Sequence, residues 1–469
     1  MRMPREHTLW NRVPGYLHRL KNERCPLSLS SPLVPSRRIS RRPARQVAGG
    51  LICPAWLRLV DQLRALLISH MARIAVYYPT PNPQYSSRGV SERSTMANSM
   101  PCVALFLLLV GVAAPAVLAV TEGLLPNGDF AQRPDKSQMK GVVVTGRNAI
   151  PSWEISGFVE YIEPGHKEED MILTLPEGAS AVRLGNDATI RQLINVTRKT
   201  YYSITFVAAR SCAQAEKLNV SVDPEFGVLP IQTVYTSTGW DSYSWAFKAR
   251  HTTVTLSIHN TGVEEDPACG PLIIAVAIKT LYPPYRTKGN MLRNGDFEQG
   301  PYIFPDTPWG VLVPPILEDV HSPLPGWNIM SDTKVVKYVD APHHKVPHGE
   351  RAVELVAGRE CALLQEVPTV AGWSYRLSFL VGDAANGCVG SLAVEAYAAR
   401  ESLKVPYESL GTGGSKPAVL EFTAIANTTR VVFQSSDHLL KSDATLCGPV
   451  LDDVKLVGVR KPAPRRLRL

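Results

Sequence analysis

Three groupings of side chains in this sequence could do chemistry, and each asks for a different scaffold. The first is acidic. Asn294-Gly-Asp-Phe-Glu298 opens a segment that closes on Cys447-Gly-Pro-Val-Leu-Asp452-Asp453. If its first and last strands lie side by side, Glu298 with Asp452 or Asp453 offers hard oxygen ligands for calcium. An earlier segment with the same opening carries Ala131, Ile274 and Ala275 instead, so a structural calcium is expected only in the later one. The second grouping is aromatic: Trp240, Tyr243 and Trp245 in one strand-like stretch, and Trp309 beside a Pro-rich insertion. Aromatic faces stack on pyranose rings, and Trp240 and Trp309 each adjoin a glycine, so Trp240, Tyr243 and Trp309 form the candidate carbohydrate-binding set. The third is His343, His344 and His348, which bind a metal only if a Pro-rich loop makes them converge.

Motifs of the common catalytic classes are missing. There is no Gly-x-Ser-x-Gly elbow, His-Glu-x-x-His helix, phosphate loop or Cys-x-x-Cys zinc pattern. Gly411-Thr-Gly-Gly-Ser-Lys416 lacks the spacing and following helix of a phosphate cradle and reads as a turn. The acidic runs Glu168-Glu169-Asp170 and Glu264-Glu265-Asp266 read as solvated loops. A carboxylate pair for glycoside hydrolysis needs proximity only in space, so a polysaccharide-active hydrolase or lyase stands as the alternative to a non-enzyme.

What would position these groups is a duplicated module. Asn127-Gly-Asp-Phe130 returns as Asn294-Gly-Asp-Phe297, Pro151-Ser-Trp153 as Pro325-Gly-Trp327, and Cys269-Gly-Pro271 as Cys447-Gly-Pro449. The order is kept and the offset drifts only by loop-sized amounts, which marks two tandem domains, 120–282 and 291–460. They are joined by the stiff run Tyr282-Pro-Pro-Tyr285, and each is long enough to bury a core of its own. Inside each copy the hydrophobic period is two. Leu218, Val220 and Val222 alternate with polar residues, as do Val254, Leu256 and Ile258, and Tyr375, Leu377, Phe379 and Val381. The fold class is therefore all-β, two jelly-roll-like sandwiches in tandem. Trp153 and Trp327 recur at one place and read as core.

The flanks say where the protein works. Cys102–Ala119 is an uncharged apolar stretch ending in small residues, so 96–119 reads as a signal peptide, with an uncleaved anchor as the competing reading. Residues 1–95, with 16 Lys+Arg against 4 Asp+Glu, read as a disordered extension or as upstream sequence from a mis-assigned start. Without them the chain has 34 basic and 38 acidic residues, and four of the basic ones lie in the tail 461–469. A folded body of that sign does not suit nucleic acid. The repeat aligns Cys212 with Cys388 and Cys269 with Cys447, so the economical bridges are Cys212–Cys269 and Cys388–Cys447, closing loops that in the chain-entropy model give about 4 kcal/mol each. Cys361 is left as a small buried residue. Asn195, Asn219 and Asn427 head glycosylation sequons, and with the paired cysteines they point to an oxidising, extracellular destination.

Longer runs add a resemblance. Gly123-Leu-Leu-Pro-Asn-Gly-Asp-Phe130, Trp153-Glu-Ile-Ser-Gly-Phe-Val-Glu-Tyr161, Val228-Leu-Pro-Ile-Gln-Thr-Val-Tyr235, Gly239-Trp-Asp-Ser-Tyr243 and Leu324-Pro-Gly-Trp327 resemble the plant cell-wall family called domain of unknown function 642. The resemblance covers essentially all of 121–460. It implies a secreted wall protein with two galactose-binding-like sandwiches that binds cellulose or pectin and influences pectin methylesterase. It implies no catalytic residues and no required cofactor. Ala131 and Ile274 depart from the Glu and Asp usual in the family, which bears on calcium in the first domain. The expectation is a non-catalytic extracellular protein without a membrane span once mature.

Overall fold

The computed structural model describes residues 119, 121–165, 175–212, 215–232, 234–263, 266–315 and 321–459. The extension 1–95, nearly all of the expected signal peptide, residues 168–170 and 264–265 and the basic tail lie outside the described residues. What is described is almost entirely strand, with two three-residue 3-10 turns, Lys136–Gln138 and Gly358–Glu360. No helix among the described residues is long and apolar enough to cross a membrane.

The two-residue period does what it should. In Thr253–Asn260, Val254, Leu256 and Ile258 point into the core while Thr253 and Thr255 face water. Each copy builds one separate five-stranded antiparallel sheet this way. In the first copy the order is Glu225–Ile231, Glu216–Val222, Thr253–Asn260, Thr189–Asn195, Glu154–Ser156. In the second it is Asn328–Met330, Ala362–Pro368, Thr428–Ser435, Val389–Ala398, Glu401–Leu410.

The opposite layer is where the copies stop being separate. Their remaining long strands belong to one fourteen-stranded sheet. It crosses from copy to copy where Asp241–Lys248 pairs in parallel with Val311–Val313, Ser242 opposite Val311 and Tyr243 opposite Leu312. Pairings elsewhere among the described residues are antiparallel. The insertion that supplies Val311–Val313 also covers the first copy. Phe304 joins Trp240, Val207, Leu272 and Ile274 in one buried cluster, with Tyr302 and Trp309 packed against it. This explains why Tyr201–Ala209 and Asp241–Lys248 are buried along nearly their whole length instead of alternating. The first copy therefore does not complete its own core: one face of its sheet is finished by the second.

The recurring motifs form one knot at the same place in each sandwich. The side chains of Asn127 and Asn294 donate to the carbonyls of Pro151 (2.8 Å) and Pro325 (3.0 Å). The indoles of Trp153 and Trp327 donate back to the carbonyls of Asn127 (2.9 Å) and Asn294 (2.8 Å). Tyr161 and Tyr338 donate to the carbonyls of Phe130 and Phe297. Gly128 and Gly295 lie so close to the last strand that a Cβ on either would collide with the carbonyl oxygen of Val276 or Val454. The motif recurs because the turn needs it, with both tryptophans buried as core. Disulfides join Cys212 to Cys269 and Cys388 to Cys447, and Cys361 is free and buried.

Candidate functional site

The expected aromatic set is corrected by the structure. Trp240 and Tyr243 are 1% and 3% exposed and cannot stack on a sugar. The Tyr243 hydroxyl accepts from the Gln232 amide and donates to its carbonyl, both within the core. Trp309, half-buried, donates its indole N–H to Ser242 Oγ at 3.0 Å. All three serve the seam where the second copy covers the first. A glycine beside a tryptophan signalled a turn correctly, but the turn packs against the neighbouring copy instead of reaching solvent.

The acidic set is brought together in part. Asp452 is fully buried: Oδ2 accepts from the His348 amide at 2.7 Å and Oδ1 from that of Asp453 at 2.6 Å. Glu298 Oε1 accepts from the Glu350 amide at 2.7 Å, so both carboxylates hold the turn 348–350. Burial pushes the Asp452 carboxyl up to about 8, and the charges of Asp453 and Glu298 push the same way. Glu298 and Asp452 are hard oxygen donors of the kind calcium takes, but no third metal-ligating side chain among the described residues is in mutual reach of them. Asp453 does not join them. It lies at a bulge with φ of 46° and pairs with Lys455 at 2.8 Å. Among the described residues, the sole group of metal-ligating atoms in mutual reach is Cys212, Glu216 and Cys269, and its two sulfurs form a disulfide. The histidines do not converge on a metal either: His343 lies between Asp340 and the Pro305 carbonyl, and His344 is buried with its pKa lowered chiefly by desolvation.

A better-built polar surface lies on the outer face of the second copy's five-stranded sheet. Alternation along Val389–Ala398 turns Val394 and Ala396 into the core and Ala393, Glu395 and Tyr397 outward. Gln434 and Lys404 stand opposite Glu395 on the two neighbouring strands, and Val432 and Ser402 stand opposite Tyr397. Glu395 organises the group. One oxygen accepts from the Tyr397 hydroxyl and from Gln434 Nε2 (3.1 Å), the other from Ser436 Oγ (2.7 Å) and Arg359 (3.1 Å). Lys404 Nζ lies 4.0 Å away. These bonds, led by those from Tyr397 and Ser436, hold the Glu395 carboxyl down at about 2. It therefore stays ionised in ordinary conditions and fixes the ring of Tyr397, which remains half-exposed. Small side chains (Ala362, Ala393) lie among long ones, and the guanidinium and ammonium remain largely open to solvent. Such a surface can stack one sugar ring and bond its hydroxyls or carboxylate through Arg359, Lys404 and Gln434. Sequence reasoning passed over it although the signal was there: a charged and an aromatic residue at consecutive outward positions of a strand. Arg359 arrives from the turn Gly358–Glu360, which no periodicity reveals.

Other carboxyls with raised pKa are placed differently. Glu216, pushed up to about 7 by burial, accepts from the Ser211 and Cys212 amides beside a 220 Å³ cleft. Asp241, also pushed to about 7, is sealed in the seam. Neither faces a second carboxyl across an open cleft among the described residues. A further 380 Å³ cleft lies between the copies, lined by Tyr201, Tyr282, Arg293, His321 and Asn328.

Arabidopsis thaliana protein DUF642 L-galactono-1,4-lactone-responsive gene 2 is 55% identical over 364 residues, 77% of this chain and 98% of the relative. Arabidopsis protein TEEBE is 48% identical over 341 residues, 72% and 92% of the two chains. Among solved structures, the tandem CBM22-1–CBM22-2 domain of Paenibacillus barcinonensis Xyn10C covers 73% of this chain and all of its own at 12% identity, with a TM-score of 0.24. The Arabidopsis ANX2 ectodomain covers 66% and 91% at 8% identity, also with a TM-score of 0.24. The family model described as protein of unknown function DUF642 matches 123–279 and 290–457, each falling within one of the two sandwiches. This chain belongs to the DUF642 family.

Proposed function

We propose that the protein is a secreted, non-catalytic cell-wall protein that binds wall polysaccharide through the outer sheet face of its second sandwich and modulates wall enzymes such as pectin methylesterase. The observation that carries the reading is the Glu395 cluster. A carboxylate whose pKa is held low by its hydrogen bonds keeps Tyr397 in place while Arg359 and Lys404 keep their charges outward. Two cations beside one anion favour a uronate-bearing polymer such as pectin. A single half-buried ring is a poor platform for flat cellulose. The two disulfides support an oxidising, extracellular setting. Calcium at Glu298 and Asp452 would be structural, steadying the turn 348–350.

The test is affinity electrophoresis through gels cast with pectins of graded esterification and with neutral wall polymers, using the secreted protein. Tyr397→Ala and Arg359→Ala should each weaken pectin binding about tenfold, the scale of one ring stack or one charge-assisted hydrogen bond. Each variant gives up a bond to Glu395, so the thermal midpoints should drop by a few degrees, and binding is compared where both are fully folded. Undiminished binding in both variants overturns the site. Release of reducing ends from any polymer would favour the hydrolase or lyase reading. An esterase rate unaltered by added protein removes the modulation.

A further inference from the structure

We infer that an N-linked glycan on Asn219 is seated on an exposed apolar patch of the first sandwich, so that the outer sheet face of this copy is a covered face and not a second polysaccharide site.

Asn219 lies in Glu216–Val222, between two strands of the first copy's five-stranded sheet. Cross-strand partners share a face, which fixes its surroundings. Val228 is opposite Asn219 on the edge strand, and Phe226 is opposite Ser221, the third residue of the sequon. On the inner neighbour, His259 is opposite Asn219 and Ser257 opposite Ser221. Phe226 and Val228 are 57% and 48% exposed, an aromatic and a β-branched side chain left in water two residues apart on one edge strand. The Asn219 side-chain carbonyl makes no hydrogen bond to the protein.

The second copy supplies an internal control. There Glu395 takes the place of Asn219 and Tyr397 that of Ser221. Their edge-strand partners are Lys404 and Ser402 where the first copy has Val228 and Phe226. The sequon and the apolar pair are thus present together in one copy and absent together from the other. Directly opposed side chains sit about 5 Å apart at Cβ and diagonal ones about 7–8 Å. A pyranose linked to Asn219 therefore reaches Val228 directly and Phe226 on the diagonal, where its apolar face can stack on the ring.

The linkage is made by transfer from a lipid-diphosphate-linked oligosaccharide. The amide nitrogen bonds to the sugar C1, the C1–O bond to the diphosphate breaks, and one amide proton is released, with no change of oxidation state. The strand is hydrogen-bonded on both sides, so transfer precedes its entry into the sheet. The negative half of the inference rests on the function proposed above; the glycan seat does not, and it is tested without polymer.

The experiment uses the full chain secreted from a eukaryotic host. Peptide mapping should find Asn219 occupied. An environment-sensitive apolar dye should bind more to Asn219→Gln, and to Ser221→Ala, which removes the sequon while keeping the asparagine. The gain should vanish in Asn219→Gln/Phe226→Ser. Endoglycosidase trimming to a single N-acetylglucosamine should leave dye binding low. An unoccupied Asn219, or an occupied one whose loss leaves dye binding unchanged, overturns the seat. With the seat intact, loss of pectin binding in Asn219→Gln overturns only the claim that this face takes no polymer.

Discussion

The buried seam predicts how stability responds to pH. Asp241 is 1% exposed, neither oxygen of its carboxyl finds a hydrogen-bond partner in the protein, and Lys337 of the other copy is the cation that opposes its desolvation. Burial lifts its pKa from 3.8 to about 7. In the fold the carboxyl keeps its proton up to about pH 7; in the unfolded chain it loses it near 4. Folding therefore takes up a proton between those values. The contribution to stability is complete below about pH 4 and is lost as pH rises through about 7. A shift of roughly three units at ~1.4 kcal/mol each gives a ceiling of about 4 kcal/mol. In a protein of this size that is a fall in thermal midpoint of roughly 5 °C between pH 4.5 and 8. Glu216 and Asp452 carry shifts of the same sign and steepen the fall. Glu395 acts oppositely: its lowered pKa adds stability above about pH 4.5 that is lost on further acidification, so the optimum lies in mildly acidic buffer. The assay is scanning calorimetry of wild type and Asp241→Asn at closely spaced pH values. The variant, neutral at every pH, should show a shallower fall between pH 4.5 and 8. A midpoint that rises over this range in the wild type, or a slope left intact by Asp241→Asn, refutes the reasoning.

Two further outcomes follow from the knot and from the acidic pair. Gly295→Ala places a methyl group against the Val454 carbonyl with Asn290 close behind, and should cost about 3 kcal/mol, read as the denaturant midpoint. Calcium, added to chelator-treated protein, should raise the thermal midpoint of the wild type and of Asp453→Asn but not of Glu298→Gln; equal responses from all three would dismiss the pair as its ligands.

Much of the architecture was legible because it is local. Strands such as Thr253–Asn260 betray themselves by alternation, and the paired cysteines by their equivalent places in a repeat. The seam was not legible. The residues that make it, Trp240, Tyr243 and Trp309, look like surface aromatics because the partner that buries two of them lies in another copy of the repeat, beyond the reach of any periodicity. Asp453 failed for the opposite reason: it adjoins Asp452, but one bulged residue with positive φ turns a neighbour in sequence into a side chain aimed elsewhere. Glu395 and Tyr397 hold consecutive outward positions of one strand, but the partners that knit them into a site, Arg359, Gln434 and Ser436, come from segments distant in sequence.

The insertion that brings Val311–Val313 to the first sandwich has a consequence for the life of the molecule. A nascent chain that has emerged only as far as the prolyl join holds the first copy with the cover for Trp240, Val207 and Ile274 still to be made. Those side chains are wet until the next few dozen residues arrive. Maturation is thus ordered along the chain, and a product truncated at Tyr282 would be a sticky intermediate, not half of a working protein.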